Sequence, residues 1–222
     1  MKKYAVIVAG GSGRRMGTAM PKQFLTLRDK PLLWHTLTAF ANTYSGVEII
    51  LVLPREWIEQ GQTIASTIDA PITIVNGGDT RFHSVQNGLK HVERDAVVFV
   101  HDGVRCLVTK DVIMRCYETA VIKGNAIPVV AAIDSMRMQT EAGNEIIDRS
   151  KLRIIQTPQT FLSDILLPAF EQPWDESFTD EASVVEKTGV AINLVEGAAD
   201  NIKITTPVDL LIAEQVLQAR SK

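Results

Sequence analysis

The chain has 222 residues, 45% hydrophobic and 22% charged, with a formal net charge of -3. That length suits one large α/β domain with a substantial core, and the charge leaves no general basic surface, so nucleic acid is not an expected partner and any positive site must be local. Cys106 and Cys116 show neither metal-ligand spacing nor a disulfide framework, so they are expected to be reduced thiols inside a cytoplasmic protein.

The first apolar run, Tyr4–Ala9, has no charged n-region, long apolar stretch or spanning segment before it, so neither export nor a membrane is expected. It reads as a buried central strand that runs into Gly10-Gly11-Ser12-Gly13-Arg14-Arg15-Met16-Gly17, with Pro21-Lys22-Gln23 shortly after. Leu33, Leu37 and Phe40 recur at helical spacing and predict a helix over Leu32–Asn42. Strands are predicted at Val47–Leu53 and Pro71–Val75, with a helix over Trp57–Ile68 between them. Gly77-Gly78-Asp79-Thr80-Arg81 punctuates the third strand, and a helix over Ser84–His91 follows. Ala96–Val100 is the next strand, with His101-Asp102-Gly103-Val104-Arg105 at its carboxyl end. The Lys110–Lys123 helix stops at Gly124, and Asn125–Ala132 is another strand.

Such regular alternation implies a mostly parallel sheet with helices on both faces, a three-layer Rossmann-like α/β domain spanning 1–222. Its strand-end loops then gather on one edge, where ligands bind in sheets of this kind. Between Ile133 and Arg153 the pattern changes to two alternating stretches around Glu141-Ala142-Gly143-Asn144, a protruding β-hairpin arm. Met136, Met138, Ile146 and Ile147 are too few to build a core there, so the arm is expected to pack on a second copy, making a homodimer. The alternative is a hairpin folded back on its own domain. Farther on, Ser163–Phe170 reads as a helix, Thr179 as the cap of a helix opening Asp180-Glu181, Val190–Glu196 and Asn201–Ile204 as strands, and Thr206–Arg220 as a closing helix.

The glycine loop is not a Walker A motif, because no Gly-Lys-Ser/Thr follows. It also fails as a dinucleotide fingerprint: Met16 holds the third glycine position and no acidic residue ends the second strand near Leu53. What remains is a backbone cradle for phosphates with Arg15 and Lys22 as fixed charge, which suits displacement at the α-phosphate of a nucleotide. If the attacking group is itself a phosphate, no general base is needed, and the lack of a persuasive one is expected. Mg2+ would be held mainly by triphosphate oxygens, with a carboxylate such as Asp102. His101 is expected to be a structural contact rather than an acid or base.

The chain resembles 2-C-methyl-D-erythritol 4-phosphate cytidylyltransferases from end to end. The resemblance rests on Ala9-Gly10-Gly11-Ser12-Gly13-Arg14-Arg15-Met16, Pro21-Lys22-Gln23, Gly77-Gly78-Asp79-x-Arg81 with Ser84, His101-Asp102-x-x-Arg105, Thr157-Pro158-Gln159, Thr179-Asp180-Glu181-Ala182-Ser183, and Glu196-Gly197-x-x-x-Asn201-Ile202-Lys203-Ile204-Thr205. It implies a nucleotidyltransferase fold with a dimerising β-arm at 133–153, and CTP and a polyol phosphate as substrates. By motif, Gly10, Gly11, Ser12 and Gly13 would cradle the CTP phosphates, and Arg15, Lys22 and Lys203 would serve catalysis. Gly78, Asp79 and Ser84 would read the cytosine, and Asp102 would contact ribose or metal. Arg105, Thr157 and Thr179 would line the acceptor site, with Ser135 and Arg149 reaching it from the other subunit. Gly103, Val104 and Cys106 stand where the family commonly has two alanines and a proline. Ribitol-5-phosphate cytidylyltransferases share several of these elements, and a non-catalytic nucleotide-binding relative is the alternative from another class. The Thr179–Ser183 form and the Ala199–Lys203 run favour methylerythritol phosphate.

Overall fold

The computed structural model describes residues 1–11 and 20–220. Strands β1 (Lys2–Val8), β4 (Glu48–Leu53), β5 (Ile72–Asn76) and β6 (Ala96–Asp102) form a parallel block in the order β5-β4-β1-β6. Both faces of this block are covered, so its strands are nearly continuous apolar runs. In β1, Ala5 and Ile7 face one core, with α1 (Leu32–Thr43), α2 (Ile58–Ala65) and α4 (Lys110–Lys123); Tyr4 and Val6 face the other, with α3 (Arg81–Leu89), α5 (Ser163–Ala169) and α6 (Glu181–Glu186). A third cluster joins β2 (Thr26–Leu27), Val104, Leu107 and Ile204 to the closing helix α7 (Pro207–Arg220).

The predicted three layers are present, with differences in the sheet. β7 (Asn125–Ala131) does not pair with β6; β11 (Gln159–Leu162) lies between them, antiparallel to both. Four residues following Pro158 carry too little periodicity to be read as a strand, and only their position between two buried edges makes them one. β10 (Arg153–Ile155) also pairs antiparallel with β7, and β12 (Leu194–Glu196) pairs with it in parallel. A small hairpin, β2 with β3 (Lys30–Pro31), turns through Arg28 and Asp29 at φ 47 and 62.

Local chemistry fixes several boundaries. α4 runs as expected, from the Thr109 cap to Gly124 at φ 89, a left-handed stop that suits glycine. α3 begins at Arg81 rather than Ser84, because the Thr80 side chain accepts from His83 N and caps the helix earlier. α6 is capped by Asp180, not Thr179: the carboxylate accepts from Ser183 N at 2.9 Å and adds charge at the helix's positive end. Residues 201–204 are not a strand. They are held by Asn201 Nδ2 to Thr157 O, 2.9 Å, and Ile204 N to Val104 O, 3.0 Å, rather than by a strand ladder among the described residues.

The arm is present as β8 (Met136–Thr140) paired with β9 (Gly143–Ile147) in a separate two-stranded sheet. Met136, Met138 and Ile146 are exposed, Ile146 at 79%. No helix among the described residues is long and apolar enough to cross a membrane.

Candidate active site

The chain passes from β1 to β4 and β5 on one side, then returns to β6 on the other. The carboxyl ends of β1 and β6 therefore part at a topological switch point, where sheets of this type leave a crevice. A cleft of about 300 Å3 opens there, lined by Gly10, Gly11, Lys22, Gly78, Asp79, Ser84, Asp102 and Lys203, with Arg81, Val104 and Gln23 among their neighbours. Loops that are distant in sequence thus converge where strand-end geometry puts them.

One side of the cleft is shaped by backbone and side-chain hydrogen bonds. The Ser84 hydroxyl accepts from Gly78 N at 3.1 Å and donates to Thr80 O at 2.9 Å, bending residues 77–80 over the first turn of α3. Gln23, fully buried, donates from Nε2 to Ala9 O at 2.6 Å and so fixes the residue that leads into Gly10. Gly103 N donates to Val8 O at 2.9 Å, and a Cβ on Gly103 would stand 2.8 Å from that of Ala9. Glycine at this position is what allows the ends of β1 and β6 to come so close.

The other side of the cleft is organised around Asp102, which is 7% exposed. Lys203 Nζ lies 3.0 Å from Oδ2, Arg105 Nε 3.4 Å from Oδ2, and Arg81 Nη2 3.4 Å from Oδ1. Burial opposes a charge here, but Arg81, Lys203 and Arg105 together outweigh it and hold the carboxyl far below the usual carboxylate range. Arg81 also meets both oxygens of Glu181, Nη1 on Oε1 and Nη2 on Oε2 at 3.1 Å. Burial pushes the Glu181 carboxyl up, while the two-point contact with Arg81 acts the other way and favours its charged form. Lys22 donates to Ile204 O at 2.9 Å while Ile204 N bonds to Val104 O, so the residue after Lys203 is held at both ends.

His101 is wholly buried. Its Nδ1 lies 2.9 Å from the Thr157 hydroxyl and its Nε2 3.2 Å from Arg105 O, while Asp102 N donates to the same hydroxyl at 3.2 Å. The hydroxyl accepts from Asp102 N and donates to Nδ1, which leaves the proton on Nε2. Burial lowers the imidazole pKa to about 4, so His101 is neutral and structural, as its position suggested. Cys106 and Cys116 are buried free thiols, each pushed up to about 12 by burial. Among the described residues no group of three or more His, Cys, Asp or Glu side chains is placed to hold a metal. Asp79 and Asp102 are nonetheless oxygen donors of the kind Mg2+ takes alongside phosphate oxygens and water.

Comparison with known proteins bears on the family and the fold. The family model of 2-C-methyl-D-erythritol 4-phosphate cytidylyltransferase matches residues 4–219. A curated member from Bacteroides fragilis is 47% identical over 219 residues, covering 98% of this chain and 100% of its own. The chain belongs to this cytidylyltransferase family. A crystal structure of 4-diphosphocytidyl-2C-methyl-D-erythritol synthase from Anaerococcus prevotii superimposes with a TM-score of 0.85 at 25% identity, covering 98% of each chain. The Francisella tularensis cytidylyltransferase structure gives 0.81 at 31% identity, covering 97% of this chain and 99% of its own.

Of the residues that the cytidylyltransferase motifs singled out, Gly10, Gly11, Lys22, Gly78, Asp79, Ser84, Asp102 and Lys203 share the cleft. Ser12, Gly13 and Arg15 lie outside the described residues. Arg105 borders the cleft through Asp102, with its Nη1 on Asn201 O at 2.9 Å. Thr157 does not line the cleft; it is buried and its hydroxyl is spent on His101 and the Asp102 backbone. Thr179 is exposed on the turn before α6, and Ser135 and Arg149 are exposed at the base of the arm. Arg81 and Glu181 stood inside recognised motifs without an assigned role. A buried acidic residue opening a helix and an arginine one hundred positions earlier give no local signal of pairing, and only the packing of α6 beside α3 reveals it.

Proposed function

We propose that the protein transfers the cytidylyl group of CTP to 2-C-methyl-D-erythritol 4-phosphate, giving the CDP-polyol and pyrophosphate. The observation that carries this reading is the meeting of Lys22, Lys203 and Asp102 with the Gly10-Gly11 backbone in one cleft at the switch point. A phosphate oxygen of the acceptor attacks the α-phosphorus of CTP; that P–O bond forms as the bond to the β-phosphate oxygen breaks. The acceptor phosphate is already an anion at neutral pH, so no side chain has to remove a proton. Charge grows on the α-phosphoryl oxygens and on the leaving pyrophosphate, and Lys22, Lys203 and Arg15 are the cations assigned to it. Mg2+ would be held mainly by triphosphate oxygens, with Asp102 as the protein carboxylate, and would supply neutralising charge there.

Gly78, Asp79 and Ser84 hold the base end of the nucleotide. Arg105 faces the acceptor, with Thr157 behind it and Thr179 at its edge. Ser135 and Arg149 complete the acceptor site from the arm of a second subunit, which makes the homodimer the working unit. Its setting is the cytoplasm. Incubation with CTP, Mg2+ and either methylerythritol phosphate or ribitol 5-phosphate, followed by pyrophosphate release, tests the reading. Release with the first acceptor is expected. Preference for ribitol 5-phosphate would replace the substrate, and binding of CTP with no release from either acceptor would replace the enzyme.

A further inference from the structure

Arg81 lines the cleft and pairs with a carboxylate buried behind it, and the proposed reaction uses neither. Arg81, at the start of α3, donates with both terminal nitrogens to Glu181, at the start of α6, and one of these nitrogens also stands 3.4 Å from Asp102 Oδ1. Glu181 is completely buried. On the opposite oxygen, Asp102 holds Lys203 at 3.0 Å and Arg105 at 3.4 Å. Asp102 therefore sits between cations that compete for it, and its share of each depends on how far the others are satisfied elsewhere. A guanidinium is always charged, and in a half-buried place it draws any carboxylate within reach.

We propose that Glu181 is a positioning residue for the reaction: by occupying Arg81 it leaves Asp102 to orient Lys203 at the reacting phosphate. Without the Glu181 charge, Asp102 is the nearest carboxylate to Arg81. The carboxylate turns toward α3, Lys203 loses its partner, and the cation assigned to the transition state is no longer preset. The base-reading loop is not affected, because Ser84 and Thr80 shape it through bonds that do not involve Glu181. The cost should thus fall on turnover rather than on nucleotide binding.

This inference rests on the proposed cytidylyl transfer, and the test separates the two. Pyrophosphate release is measured for wild type, Glu181→Gln, and the double variant Arg81→Gln with Glu181→Gln, with thermal melts to confirm folding. Glu181→Gln is expected to lower kcat by roughly 10- to 100-fold, the scale of a misplaced catalytic group, with KM for CTP within about threefold of wild type. The double variant removes the competing cation and is expected to recover most of the lost kcat. If Glu181 served only to hold α6, the double variant would stay as slow as the single one, and that result overturns the proposal, as does an unimpaired Glu181→Gln. Should Glu181→Gln not fold, the double variant alone decides: kcat near wild type supports the role, and kcat as low as that of Lys203→Ala removes it. A wild type with no turnover overturns the proposed function, and this inference with it.

Discussion

At the scale of single residues, the proposed reaction divides the cleft into groups that would carry charge to it and groups that hold the backbone. Lys22 and Lys203 are proposed for the first kind, and each is tied to the other's surroundings through Ile204. Lys22→Ala and Lys203→Ala are each expected to lower turnover on the order of 100-fold with the fold retained, as seen when a positioned donor is lost from a developing anion; near-normal rates in steady-state assays would remove the assigned roles. His101 belongs to the second kind. Its folded pKa of about 4 lies below its ordinary value, so the unfolded chain binds the extra proton and stability falls as pH drops from about 6.5 toward 4. The loss attributable to this one group is on the order of 3 kcal/mol across that window. Thermal melts between pH 7 and pH 4.5 should show a steeper decline for wild type than for His101→Gln, and parallel curves would contradict it. The glycines and lysines of the cleft were legible in the chain because each occurs within a short motif. The roles of Gln23 and Glu181 were not, because they bond groups 14 and 100 positions away; His101 was legible as a structural contact, but its partner Thr157, 56 positions on, was not.

At the scale of elements, close approach decides more than propensity. Gly88 lies on the face of α3 that rests on the sheet, and a Cβ there would stand 2.8 Å from Val6 Cγ1 and 3.0 Å from Val52 Cγ2. Alanine would favour the helix by about 1 kcal/mol, yet both valines are β-branched strand residues with little freedom to turn aside. Gly88→Ala is therefore expected to destabilise the protein by about 1–2 kcal/mol net, measured by denaturant titration; a rise in stability would show that α3 can lift from the sheet freely. α4, with its glycine stop at Gly124, was read to the residue, whereas the caps of α3 and α6 were misplaced. Short strands were not. β11 has four residues, and nothing within them distinguishes a buried strand from a linker until the empty slot between β6 and β7 is known.

At the scale of the whole molecule, the arm has apolar residues and no core of its own. Its two strands pair only with each other, and Met136, Met138 and Ile146 stand exposed. Near its base Ile133 and Ile154 are 78% and 52% exposed, which extends the apolar strip toward the sheet. A patch of this kind is the usual mark of an interface. Sedimentation at micromolar concentration is expected to show a dimer. Ile146→Asp is expected to shift it toward monomer and to reduce turnover, because Ser135 and Arg149 would no longer reach a neighbouring cleft, with little change in the melting of the domain itself. A monomeric wild type with full activity would refute this role of the arm.

The sequence by itself determined the alternation of strands and helices, and with it the edge of the sheet where the site must lie. Apolar runs such as Tyr4–Ala9 and the glycines that end them are local signals, set by burial on both faces and by backbone geometry. The tertiary structure decided which strand fills the gap beside β6, which residue caps α6, and which cations share Asp102. Those are outcomes of competition between groups far apart in the chain: two carboxylates for Arg81, three cations for Asp102, two strand edges for β11. The glycine-rich stretch raised the expectation of a phosphate site; the distances around Asp102 show how the charges beside it are shared.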